Sequence, residues 1–219
     1  MSSTPNTRTQ KPTLVYSIAI LAFLFGLALA WSTALGGGWW WDTAGALGFV
    51  ALAYFVLLNA ATGQGNRLSS HRFLGWCAVT LSMVHAALYL VTDSVVIEHL
   101  KLSAPPAMLV GILTFVIAVA GATLSLSRWK LKAHGSRENF QRYHRLMSWT
   151  VLVGCLYHVA ATGHSIYRAE QFVLLAASTL LFVVFAKKIT TSIQPRLPLL
   201  GILLGSLLAL GAFVGLRNV

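Results

Sequence analysis

Charge is scarce in this chain of 219 residues: 10% are Asp, Glu, Lys or Arg, against about 25% in soluble domains. Acids are scarcer still, five in all. Hydrophobic residues make up 57% and mean hydropathy is +0.73. An ordinary soluble globule is thereby excluded, and so is a disordered chain, which requires low hydrophobicity. The two cysteines, Cys77 and Cys155, both lie inside apolar runs. They are too few for a disulfide framework and read as buried free thiols. Neither GxGxxG nor GxxxxGK(S/T) occurs, so nucleotide chemistry is expected from another protein. Apolar runs fill nearly the whole chain and leave no room for a sizeable soluble module.

What is present is a series of seven apolar segments near the length of about 20 residues that spans a bilayer. They cover roughly 13–31, 43–62, 72–92, 107–127, 145–163, 170–186 and 197–216. Breakers mark the connections: Gly36-Gly37-Gly38, Gly63-Gln64-Gly65, Pro105-Pro106, Gly135, and Pro195 with Pro198. Arg8 and Lys11 before the first segment, and Ala28-Leu29-Ala30 at its end, resemble a signal peptide. The apolar stretch exceeds the usual 7–15 residues of such a signal, so a retained helix is expected.

The net charge of +11 does not read as nucleic-acid binding, because the sixteen Lys and Arg lie almost entirely between apolar runs. With the N-terminus in the cytoplasm, three of them, Lys101, Arg168 and Arg217, fall outside, and the other thirteen fall inside. That bias predicts seven crossings, N-terminus in and C-terminus out. Asp42, Asp93, Glu98 and Glu170 all fall outside, and Trp39-Trp40-Trp41 reads as an interfacial aromatic belt at the outer end of the second helix.

The chemistry resides in histidines. An ionisable residue within a spanning helix is a functional candidate by default. His85 and His158 lie deep in the third and fifth segments, with His71 and His144 at their inner ends. Both pairs are fourteen residues apart. Fourteen residues is just under four turns, so each pair shares one helix face, separated by roughly 21 Å. The flanks repeat as well: His71-Arg72-Phe73-Leu74-Gly75-Trp76 matches His144-Arg145-Leu146-Met147-Ser148-Trp149. The third and fifth segments both run from inside to outside. Equal levels therefore face each other, His71 with His144 and His85 with His158.

Two facing imidazoles per level form a bis-histidine haem arrangement, and facing helices of a bundle are a common frame for it. Imidazole suits iron, and an apolar shell without carboxylates suits haem rather than a hydrated hard cation. Zinc asks for four ligands at one point, whereas these four divide between two levels. Arg72 and Arg145, beside the inner ligands, are placed to bind haem propionates. No catalytic residue is assigned. His99 and His134 read as ordinary loop residues. His164, six residues past His158, is turned about 240° from the ligand face.

At these residues the chain resembles the ferric reductase-like transmembrane domain, found in ferric-chelate reductases and in the membrane part of NADPH oxidases. Its signature is two histidines on each of the third and fifth helices, spaced as they are here. The resemblance implies an all-α polytopic membrane helical bundle, a six-helix core plus an added seventh helix, with the haem-binding core over 43–186 holding two haem b. A cytoplasmic tail over 1–12, a first helix and outer loop over 13–42, and a basic loop with an added seventh C-terminal helix over 187–219 complete the expected plan. The resemblance also implies an oxidoreductase subunit in electron transport, in the bacterial inner (plasma) membrane. Many members continue into a cytosolic flavin and NAD(P)H domain. A cytosolic flavoprotein reductase with its own flavin is therefore the expected donor, and a ferric chelate, oxygen or a periplasmic redox partner the expected acceptor. The haem-binding membrane subunit of the periplasmic methionine-sulfoxide reductase system is similar in size and helix plan. It commonly lacks the first histidine of the third helix, a position that His71 fills here. A non-redox transporter or assembly factor, with structural histidines, is the remaining alternative.

Overall fold

A computed structural model describes residues 11–31, 37–60, 67–126, 132, 134–163, 166, 168–190 and 199–218. Among them, seven α-helices account for the seven apolar segments: α1 Lys11–Trp31, α2 Trp39–Ala60, α3 Arg67–Thr92, α4 Pro106–Leu124, α5 Arg137–Ala161, α6 Ala169–Thr190 and α7 Leu199–Arg217. A single-file helical plan is what a bilayer demands, since each backbone polar group must find its partner within its own segment. Four helices, α2, α3 from Leu68, α4 and α7, are long and apolar enough to cross a membrane outright. α1 and α6 carry shorter apolar stretches, Ser17–Leu27 and Ala169–Val184. In α5 the basic residues crowd the first turns, and the stretch 146–161 has no Asp, Glu, Lys or Arg. The protein is an integral membrane protein built as a polytopic helical bundle.

The helix starts differ from the apolar boundaries. α3 begins at Arg67 and α5 at Arg137, ahead of the expected 72 and 145. His71 and His144 therefore lie inside regular helix rather than at its ends. The cause at α5 is local. Gly135 adopts φ +69°, a left-handed conformation that glycine takes at no steric cost. Ser136 then caps the helix, its Oγ accepting the Asn139 N–H at 3.1 Å. Proline at the first turn starts α4. Asp93 begins a 3-10 turn over Ser94–Leu100 by accepting the Val95 N–H at 2.9 Å.

α2 is the hub. It packs against α1, α3, α5, α6 and α7, and every residue from Phe49 to Leu57 is buried. α4 packs against α5 and α3. Among the described residues α3 and α5 make no extended backbone contact, so they form the diagonal of a four-helix group closed by α2 and α4. α4 approaches α5 with a stripe of small residues: Ala107, Gly111, Thr114, Ala118 and Gly121. Close backbone approach on such residues is how membrane helices gain packing contacts.

The contacts also fix direction. Phe25 meets Phe213 with ring centroids 5.4 Å apart, and Ile18 lies 3.7 Å from a Cβ placed on Gly205, so α1 and α7 are parallel. α2 runs against α7, with Tyr54 Oη 2.8 Å from Ser206 Oγ and Asp42 paired to Arg217. The starts of α2 and α4 thus lie with the ends of α3, α5 and α7. We call this the acidic end, and the end where α1, α3, α5 and α7 start the basic end. Trp39 and Trp40 are 62% and 68% exposed at the acidic end, as an interfacial belt requires.

Candidate functional site

His85 and His158 are held in the same manner on two different hairpins. His85 Nδ1 lies 2.7 Å from the carbonyl of Ala44 in the first turns of α2. His158 Nδ1 lies 2.9 Å from the carbonyl of Ala107 in the first turn of α4. Four residues past each carbonyl stands a glycine. A Cβ on Gly48 would come within 2.8 Å of the His85 ring, and one on Gly111 within 2.6 Å of His158 Nδ1. Each imidazole therefore lies against bare helix backbone, where any other side chain would displace it. A carbonyl can only accept, so Nδ1 carries the proton and Nε2 keeps its lone pair. The shape of imidazole turns that lone pair away from the carbonyl. This is the tautomer and orientation of a metal-ligating histidine whose second nitrogen is fixed by a backbone acceptor. His158 is also within electrostatic reach of His85.

At the basic end the rings of His71 and His144 lie 6.1 Å apart between centroids, with their planes at 63°. Two imidazoles ligating one metal from opposite sides at about 2 Å each hold their ring centres roughly 6 Å apart. The observed spacing suits such a pair. Phe140, one turn before His144 and 7% exposed, stacks on it at 5.3 Å and 19°. Asn59 on α2 and Ser148 on α5 tie the two helices one turn beyond His144. Ser148 Oγ donates to Asn59 Oδ1 at 3.0 Å, and Asn59 Nδ2 donates to the Phe55 carbonyl at 2.9 Å.

All four histidines are half-buried. Among the described residues no three His, Cys, Asp or Glu side chains gather at one point, and the sequence-expected donors are imidazoles alone. That set suits haem and does not suit a hydrated hard cation. Arg72 is half-buried and Arg145 exposed, each following its histidine at the basic end.

Several residues carry more than the sequence suggested. His134 is a ring neighbour of the site: it stacks on Tyr143 at 5.6 Å and tilts against Phe140 at 5.5 Å. His99 belongs to the 3-10 turn. Arg8, Arg128, Lys130, His164 and Arg196 lie outside the described residues. Ala44, Gly48, Ala107 and Gly111 were missed, although a signal exists. Ala44 and Gly48 recur 63 residues later as Ala107 and Gly111, while the histidines recur after 73. Cys77 and Cys155 are free thiols, half-buried rather than fully buried.

Among known proteins, residues 44–155 match the family described as ferric reductase like transmembrane component. No curated protein and no solved structure matches the chain. The matched stretch opens on Ala44, contains His71, His85 and His144, and ends three residues before His158. It spans just over half of the 219 residues. The chain, with its paired histidines on two hairpins, belongs to the ferric reductase like transmembrane component family.

Proposed function

We propose that the protein is a transmembrane di-haem b cytochrome, passing electrons from a cytosolic flavoprotein donor to an acceptor on the opposite face. The observation that carries this reading is the matched fixing of His85 and His158, each with Nδ1 bound to a carbonyl and its ring against a glycine. Family members generally bind haem. His71 and His144 would hold one haem, and His85 and His158 the second. Bound haem supplies a one-electron carrier at each level. The chain's own work is to orient the four imidazoles, to keep water from them with an apolar shell, and to set the local charge. Arg72 and Arg145 are placed to donate charge-assisted bonds to propionates at the basic end.

The basic end presents exposed Lys132, Arg137, Arg142 and Arg145. By the positive-inside rule this end faces the cytoplasm. It offers an acidic donor, or the phosphate of a reduced flavin, a complementary surface. At the acidic end the acceptor is a ferric chelate, oxygen or a periplasmic partner. Purified from haem-replete cells, the protein is expected to be red, to shift its Soret band with dithionite, and to hold about two haems per chain. A colourless preparation refutes the redox reading and leaves a transporter or assembly factor with structural histidines.

A further inference from the structure

Asp42 is a carboxylate buried to 3% exposure within a membrane protein. Such a charge is costly unless it is paired and hydrogen-bonded. Both of its oxygens are used. Arg217 Nε donates to Oδ1 at 2.8 Å, and Asn218 Nδ2 donates to Oδ2 at 2.9 Å. Arg217, its side chain 13% exposed, also lies over the Phe213 ring, 5.4 Å from its centroid. Asn218 Nδ2 donates in addition to the Val214 carbonyl at 2.9 Å. Both partners come from the end of α7, the helix beyond the expected six-helix core.

Asp42 is joined to His85 by two routes. Two residues along α2 stands Ala44, whose carbonyl accepts the hydrogen bond from His85 Nδ1–H. Tyr89, one turn past His85, packs edge-on to the His85 ring at 5.1 Å and to Trp41 at 4.5 Å. The Tyr89 hydroxyl lies 3.3 Å from a Cβ placed on Gly45 and within electrostatic reach of both Asp42 and Arg217. Ala44 and Tyr89 thus connect the ion pair to the His85 ring.

We propose that Asp42 and Arg217 are a charge-compensated pair of positioning residues for the haem held by His85 and His158. α7 supplies the cation that cancels the Asp42 charge there. The inference rests on the haem reading above. In a low-dielectric wall an uncancelled charge acts strongly. A lone carboxylate favours the more positive ferric state and lowers the potential; a lone guanidinium raises it. The Asn59–Ser148 contact and the His71–His144 pair lie at the other end and are not affected.

The test is a redox titration of the full-length haem-loaded protein, with each step assigned by His85→Ala and His144→Ala. Arg217→Gln is expected to lower the potential at the His85–His158 level, and Asp42→Asn to raise it. The double variant returns it to the wild-type value, and the His71–His144 level stays fixed throughout. Equal-signed shifts, with the double variant further displaced, reveal packing alone and overturn the proposal. So does an unmoved potential. If a single variant fails to accumulate, the double variant buries no lone charge and must still fold with the wild-type potential; otherwise the proposal falls. Wild-type protein that binds no haem fails the parent reading instead, a result read before any variant is made.

Discussion

Gly111→Ala places the decisive strain on one hydrogen bond. The new Cβ would meet His158 Nδ1 at 2.6 Å, well inside the 3.4 Å at which ordinary van der Waals contact begins. Gly111 and the Ala107 carbonyl lie one turn apart on the same face of α4, so a push from one is a retreat from both. A retreat of about 0.8 Å stretches the 2.9 Å bond to about 3.7 Å, past the limit of about 3.2 Å for such bonds. Losing an outer-shell partner of a metal-ligating histidine typically lowers metal affinity about 10- to 100-fold, about 1.4–2.7 kcal/mol. Haem affinity at the His85–His158 level should fall by that factor, with the other level intact. Haem per chain, assayed as the pyridine haemochrome during haem titration of the purified variant, measures it. Gly121→Ala on the same helix is the control, because its Cβ would meet only the flexible Met147 methyl at 3.7 Å. Wild-type haem affinity in Gly111→Ala would show that the carbonyl contact does not support a ligand.

Three further outcomes are expected. His85→Ala and His144→Ala each lose one haem, from opposite levels; loss from the same level in both, or from neither, breaks the assigned pairing. Asn59→Leu removes the polar tie between α2 and α5 and should lower stability by about 0.6 kcal/mol, the average for interhelical bonds in membranes. An unshifted denaturation midpoint in micelles would contradict this. Exchange of Lys130, Lys132 and Arg137 for Gln should slow reduction by a flavoprotein reductase and flatten its salt dependence. An unchanged rate would dismiss the basic face as a docking surface.

The seven helices were legible because a bilayer writes length and apolarity directly into sequence. The histidine register was legible because fourteen residues is close to a whole number of turns. The early starts of α3 and α5 were hidden, since their first turns, 67–70 and 137–140, are mostly polar and break the apolar run. Gly135 followed by Ser136 was a readable cue at α5. The carbonyls of Ala44 and Ala107 were hidden for a deeper reason: a backbone acceptor has no side chain to recognise. Only the glycines four residues later leave a trace. The sequence places Asp42 and Arg217 only among the charges that fall outside. Their union across 175 positions is set by how α7 packs, which no local pattern encodes.

The hairpins α2–α3 and α4–α5 run the same way through the bilayer, so the rotation relating them is about the membrane normal. That rotation carries His71 onto His144 and His85 onto His158, and it never exchanges the two levels. An inverted repeat would do the opposite, making the two sides of the membrane equivalent. Here partners within a level stay matched while the levels themselves diverge freely in solvent access and charge. The acidic end carries the buried Asp42–Arg217 pair, and the basic end the exposed Arg137, Arg142 and Arg145. Polarity across the membrane is thus a property of the symmetry itself.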